Sequence, residues 1–227
     1  MIRDFLTITA PPFFLLCGLT TCCYLAAGER LGLYLGGLSM AMVLVPPLVL
    51  AQRTTVERLL AAASVIDGVG VVWLIAMFRS DVTFAQWLAA YVLLAACVTG
   101  VAGVAAALSR FLMRKLFAAA VTVTLSLAWL TWPVWLSAWV ERAAVADGMR
   151  WLIPLHPLLA INGLLAHLGV WGEWPLMYRL TSLGQDVPYE LPSSVALCTA
   201  VHFLLGGALL LLSSTGPAVD EPDRRPR

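Results

Sequence analysis

Charge is scarce in this sequence. Only 12% of its 227 residues are Asp, Glu, Lys or Arg, about half the roughly 25% of ordinary soluble domains. Set beside 61% hydrophobic residues, that scarcity excludes a soluble globular fold. The alternating ten-residue pattern of a membrane β-barrel is missing as well. A net charge of +1 supplies no basic field for nucleic acid. Cysteine is sparse and unpatterned: Cys17, Cys22, Cys23, Cys97 and Cys198 form an odd set with no CxxC, all within apolar runs. They read as buried thiols, not as a disulfide framework or a metal knuckle. No GxxxxGK[ST] loop, GxSxG or HExxH occurs, so no motif for ATP binding or for serine or zinc hydrolysis is present.

What the chain does have is long apolar runs. Crossing about 30 Å of hydrocarbon takes about 20 residues at 1.5 Å each. Six runs qualify, at about 11–28, 31–51, 59–78, 84–108, 116–140 and 193–214. The expected fold is therefore an all-α membrane protein with six transmembrane helices, because helices satisfy their backbone polar groups within the segment. Ala26-Ala27-Gly28 fits a small-residue cleavage pattern, but Arg3 alone makes a thin charged leader, and a retained helix is the preferred reading. Gly32 and Gly36 form a GxxxG that permits close helix packing. Pro46-Pro47 is expected to kink or end the second helix. Thr54 followed by Glu57 has the spacing of a capping box and should start the third. The tail, 215–227, is proline-rich and charged and is expected to be disordered.

Lysine and arginine in the short connections set orientation. With the amino terminus inside, Arg3, Arg53, Arg58, Arg110, Arg114, Lys115, Arg224, Arg225 and Arg227 are all cytoplasmic, against Arg30 and Arg79 in the short outer loops. Both termini are thus expected inside. Arg110 and Arg114, at i and i+4, would present a basic face to anionic lipid. Trp139 fits an outer aromatic belt, while Trp129 and Trp132 sit deeper and should pack or line something.

The stretch between the fifth and sixth runs is the least ordinary part of the chain. Asp147 to Ala166 is greasy, yet holds Pro154, His156, Pro157, Asn162 and Gly163. Each proline would cost a helix interior about 3 kcal/mol. Its leucines and isoleucines nonetheless need burial. A re-entrant or interfacial helical segment, in an outer region of about 148–175, meets both demands. Leu158, Ile161, Leu165 and Leu168 form one helical stripe and leave Asn162 and Ala166 on another face.

Gly148, Trp151, Pro154, Pro157, Leu158, Asn162 and Leu164 follow a Pro-x-x-Pro-Leu-x-x-x-Asn-x-Leu pattern just before the last span. This resembles the permease subunits of the ABC-2 exporter family, as do the six helices, the internal termini and the short basic break after helix two. The resemblance implies two permease copies, as a homodimer or paired permease, joined to separate cytosolic ATP-binding subunits in a bacterial cytoplasmic (inner) membrane. ATP hydrolysis would reside in that partner, so this chain would not itself be an enzyme and would carry no cofactor. The alternative is a non-catalytic integral membrane scaffold or anchor subunit of a larger complex.

Individual residues follow from these readings. Arg53, Glu57 and Arg58 are candidates for a short cytosolic helix that an ATPase would grip, or else plain positive-inside topology. Asp67 lies about 12 Å into the third run, near mid-membrane. A carboxylate there costs about 2.5–3.5 kcal/mol on insertion scales, so it is either a pathway-facing or proton-linked acid, or a hydrogen-bonded packing residue. His202, in the sixth run, is its candidate partner. Trp151, Pro154, His156, Pro157 and Asn162 are the candidate residues of the re-entrant segment. His156, His167 and His202 lack the spacing of a haem or metal site.

Overall fold

The computed structural model describes residues 2–27, 30–112, 114–135, 152–165 and 191–214. Among these, every regular element is helical. In chain order they are α1 (Ile2–Ala27), α2 (Arg30–Ala51), α3 (Thr55–Met77), α4 (Phe84–Leu112) and α5 (Lys115–Trp135), then a 3-10 turn (Ile153–Leu155), α6 (Pro157–Leu165) and α7 (Ala196–Ser214). Helices α2, α3, α4, α5 and α7 each contain a stretch long and apolar enough to cross a membrane. The other expected span falls in α1, whose apolar stretch among the described side chains is the shorter Thr7–Cys23. The end of the fifth run, most of the 148–175 region and the tail 215–227 lie outside the described residues.

Local sequence explains the start of α3. The Thr54 hydroxyl accepts from the Glu57 N–H at 3.2 Å, and the Glu57 carboxylate accepts from the Thr54 N–H at 3.2 Å, completing the expected capping box of α3. Pro46 and Pro47 do not end α2, which continues through them to Ala51. Proline within a membrane helix is tolerated where neighbouring helices compensate for the backbone groups it frees, and α2 packs against α1, α3, α4, α5 and α6.

Three-residue and two-residue gaps join α2 to α3 and α4 to α5, so these packed neighbours run antiparallel. Helix α4 is as central as α2, contacting α2, α3, α5, α6 and α7. The interior is led by Trp73, fully buried on α3. Its indole N–H donates to the Leu33 carbonyl of α2 at 3.3 Å, and its ring lies 4.8 Å from that of Tyr34. The outside is equally apolar: Phe78, Phe111, Leu116, Leu204 and Leu211 are all exposed. A bundle with oil inside and outside belongs in a bilayer.

The last helix is held by a seam of glycines. A Cβ on Gly103 would lie 2.5 Å from the Gly206 carbonyl oxygen, and one on Gly206 would lie 2.5 Å from the Thr99 carbonyl. Only hydrogen fits between the backbones of α4 and α7 there. At the end of the seam, the Arg110 guanidinium of α4 donates to the Leu212 carbonyl in the last turn of α7, placing a cation where the helix dipole is negative. Gly36 of the GxxxG also marks a close approach, since a Cβ there would sit 2.6 Å from Cys23 Cβ of α1. The seam predicts that Gly206→Val lowers the unfolding midpoint in detergent by an amount equivalent to about 1–3 kcal/mol. Gly207→Val should leave it unchanged, because a Cβ at Gly207 meets nothing within 4 Å.

Candidate functional site

The site begins with a missing donor. Pro133 lies inside α5, and proline has no N–H to offer the carbonyl four residues earlier, which is that of Trp129. Near that gap sits His156, fully buried. Its Nε2–H donates to the Leu130 carbonyl at 3.1 Å, with the Trp129 carbonyl also in reach.

The other ring nitrogen serves the other break. His156 is extended, with φ −85° and ψ 119°, and precedes Pro157, the first residue of α6. Its carbonyl accepts the Ala160 N–H at 2.9 Å, and its Nδ1 accepts the Leu159 N–H at 3.2 Å. His156 is therefore the N-cap of α6, with an imidazole in the role usually given to Ser or Asp. An acceptor at Nδ1 and a donor at Nε2 define the neutral imidazole in one tautomer. The rings of Trp132 and Trp129 flank it at 5.6 Å and 6.0 Å, the first edge-on at 88°.

Two more helices complete the clamp. The buried Cys198 thiol of α7 donates to the Leu155 carbonyl of the 3-10 turn at 3.0 Å. Gln86 of α4 donates through Nε2 to the Leu164 carbonyl at the end of α6, at 3.3 Å, while its Oε1 accepts the Thr83 N–H at 2.8 Å. Non-helical backbone at this position is thus satisfied by protein, the condition for its presence at membrane depth. Pro154 falls in the 3-10 turn and Pro157 at the first position of α6, so neither occupies a helix interior.

Helix α6 carries both its leucine stripe and Asn162 into the interior. Leu158, Leu159, Ile161, Asn162 and Leu165 are all buried, Gly163 and Leu164 are half-buried, and α6 packs against α2 and α4. Asn162 is 2% exposed, and neither polar atom of its side chain has a hydrogen-bond partner among the described residues. The indole nitrogens of Trp129 and Trp132 are buried and unpartnered in the same sense. With Trp135, Leu125 and Leu152, these tryptophans line a cleft of about 230 Å³ beside the clamp, in keeping with the expectation that they line something. Trp151, Trp139 and His167 lie outside the described residues.

Asp67 and His202 are not brought together. The Tyr91 hydroxyl of α4 donates to Asp67 Oδ1 at 2.7 Å. His202 instead lies against Gly100 of α4, donates from Nδ1 to the Cys198 carbonyl at 2.8 Å, and has its ring 6.5 Å from that of Trp129. Tyr91 and Gly100 are nine residues apart, half a turn out of phase at about 100° per residue, so the two groups occupy opposite faces of α4. His202 belongs to the clamp side. Among the described residues, no three His, Cys, Asp or Glu side chains converge as a metal site.

No family model, curated protein or solved structure matches this chain.

Arg53, Glu57 and Arg58 do not form a helix of their own. Only three residues separate α2 from α3. Glu57 is occupied by the cap, accepting from the N–H groups of Arg53 and Thr54, and Arg58 Nε donates to the Gln52 carbonyl at 3.5 Å. Arg53 is exposed at that turn.

Gln86 and Pro133 were not singled out in the sequence, and Cys198 was read only as a buried thiol, which it is. Thr83-x-x-Gln86 has the spacing of a capping box, which was the available signal for Gln86. A thiol donating to a carbonyl 43 residues away has none.

The clamp predicts a specific coupling. His156→Phe keeps a flat ring, though a larger one, but removes both ring nitrogens and so strands the Leu159 N–H and a buried carbonyl, and should cost roughly 2–4 kcal/mol of stability. Pro133→Ala restores a backbone N–H for the Trp129 carbonyl. In a double-mutant cycle by denaturant unfolding, Pro133→Ala should therefore be less harmful, or stabilising, in the His156→Phe background. Additive effects would remove His156 from this role.

Proposed function

We propose that this chain is the membrane-spanning permease subunit of an ABC-2-like exporter, paired with a second permease copy and with a separate ATP-binding subunit. The observation that carries the reading is the clamped helix break before the last helix, where the 3-10 turn and α6 lie buried against α2, α4 and α7. A broken element enclosed by spanning helices is a form that membrane transporters use to line a path. Asn162 supports the reading, because an enclosed amide with no partner among the described residues is available to a polar substrate. In this reading α1 is also a span and brings the total to six, both termini face the cytoplasm of a bacterial cell, and coupling falls on the turn carrying Arg53 and on Arg114 and Lys115 at the start of α5. The chemistry of ATP belongs to the partner.

A non-catalytic anchor subunit is the second reading. It is favoured by the shortness of those turns and by the commitment of Glu57 to its own cap.

Two experiments separate the readings. A tagged chain extracted from native membranes should bring down a P-loop subunit, and Arg53→Glu with Lys115→Glu should weaken that association. If no nucleotide-binding subunit is recovered after mild extraction and cross-linking, the exporter reading fails. Within a recovered complex, Asn162→Leu should leave assembly intact and lower substrate-stimulated ATP turnover about tenfold, equivalent to about 1.4 kcal/mol. Unchanged turnover favours the anchor.

A further inference from the structure

The face of α3 away from the clamp holds a second feature, unrelated to α6. Leu60, Ala63, Ser64 and Asp67 follow a helical spacing along α3. Together with Thr9, Phe13 and Phe14 of α1 they line a groove of about 280 Å³. Asp67 lies one residue past the midpoint of Thr55–Met77, so the groove opens sideways at mid-membrane depth.

The lining is chemically lopsided. It is apolar apart from two hydroxyls and one carboxyl group, and it contains no lysine, arginine or histidine. Asp67 is exposed, and Tyr91, through its hydroxyl at 2.7 Å to Oδ1, is the one hydrogen-bond partner of that carboxyl group among the described residues. The Tyr91 ring is fixed in turn by stacking on Trp87 at 5.3 Å and 23°, and the Trp87 indole N–H donates to the Gly70 carbonyl of α3 at 3.3 Å. One oxygen is thus held by a braced donor, and the other is left to whatever enters the groove.

A carboxylate facing hydrocarbon is costly, and an acyl chain in the groove would leave that cost in place. A monovalent cation carrying apolar substituents removes it. The positive group meets Asp67, the substituents meet Phe13 and Leu60, and Phe14, 69% exposed, offers a ring for cation–π contact. We propose that the groove between α1 and α3 binds a lipophilic monovalent cation, with Asp67 as its counter-ion. The site is independent of the exporter reading, since it requires neither an ATPase partner nor the α6 clamp.

The test uses the full chain in zwitterionic nanodiscs with radiolabelled benzyldodecyldimethylammonium, after subtraction of empty-disc partitioning. Saturable binding is expected, and Asp67→Asn should weaken it about tenfold or more, while Asp67→Glu retains it. The neutral dodecyl benzyl ether should not compete. Ala63→Phe keeps the carboxylate and fills the groove, so it should abolish binding and serves as the readout if Asp67→Asn misfolds. Equal affinity in Asp67→Asn, effective competition by the ether, undiminished binding in Ala63→Phe, or absence of saturable binding to the wild type would each overturn the proposal.

Discussion

The arrangement rests on one imidazole with both nitrogens in use. Pro133 in α5 leaves the Trp129 carbonyl without its helical donor, and the start of α6 leaves its first N–H groups without helical acceptors. Stranded separately in a low-dielectric interior, such groups cost about 1–3 kcal/mol apiece. His156 sets one break against the other, donating to the Leu130 carbonyl with that of Trp129 in reach on one side, and accepting the Leu159 N–H on the other. Lysine has no acceptor and an aspartate no donor, whereas neutral histidine has one of each on a rigid ring. The positions of α5, α6 and the intervening tryptophans follow from that geometry.

Helix α4 divides the molecule into two chemically different sides. Towards α5, α6 and α7 lie His156, His202, Asn162, Cys198 and the tryptophans of α5. Towards α3 lies the Asp67–Tyr91 pair. Ionisable groups near mid-membrane invite pairing on paper, but a helix nine residues on has turned its side chain to the other flank. The two sides therefore carry separate chemistry: enclosed hydrogen bonding at the break, and an open carboxylate at the groove.

Much of the helical framework was legible because burial in lipid demands long apolar runs and because caps are local. The start of α3 is an example, since Thr54 and Glu57 reach each other across three residues. The place of the break was legible too, from Pro154 and Pro157. Its partners were not. Leu130 lies 26 residues from His156 and Leu155 lies 43 from Cys198, and no periodicity encodes contacts at such separations. The burial of Asn162 was not legible either, because a leucine stripe reports the most apolar side of a helix, not whether the other sides are also covered. Asp67 was recognised from its depth alone, and its actual partner Tyr91 looked like one more aromatic residue in an apolar run.

The contact between Cys198 and the 3-10 turn bears on the order in which the molecule is made. The break is synthesised before α7, yet one of its backbone carbonyls is capped by a thiol from α7. The helix that carries this thiol also seats on the glycine seam of α4. Until the last helix has left the ribosome and docked, the segment at the heart of the bundle is short of a donor. Completion of the break thus waits on the synthesis of α7, and α4 must keep a bare backbone surface open in the bilayer to receive that helix.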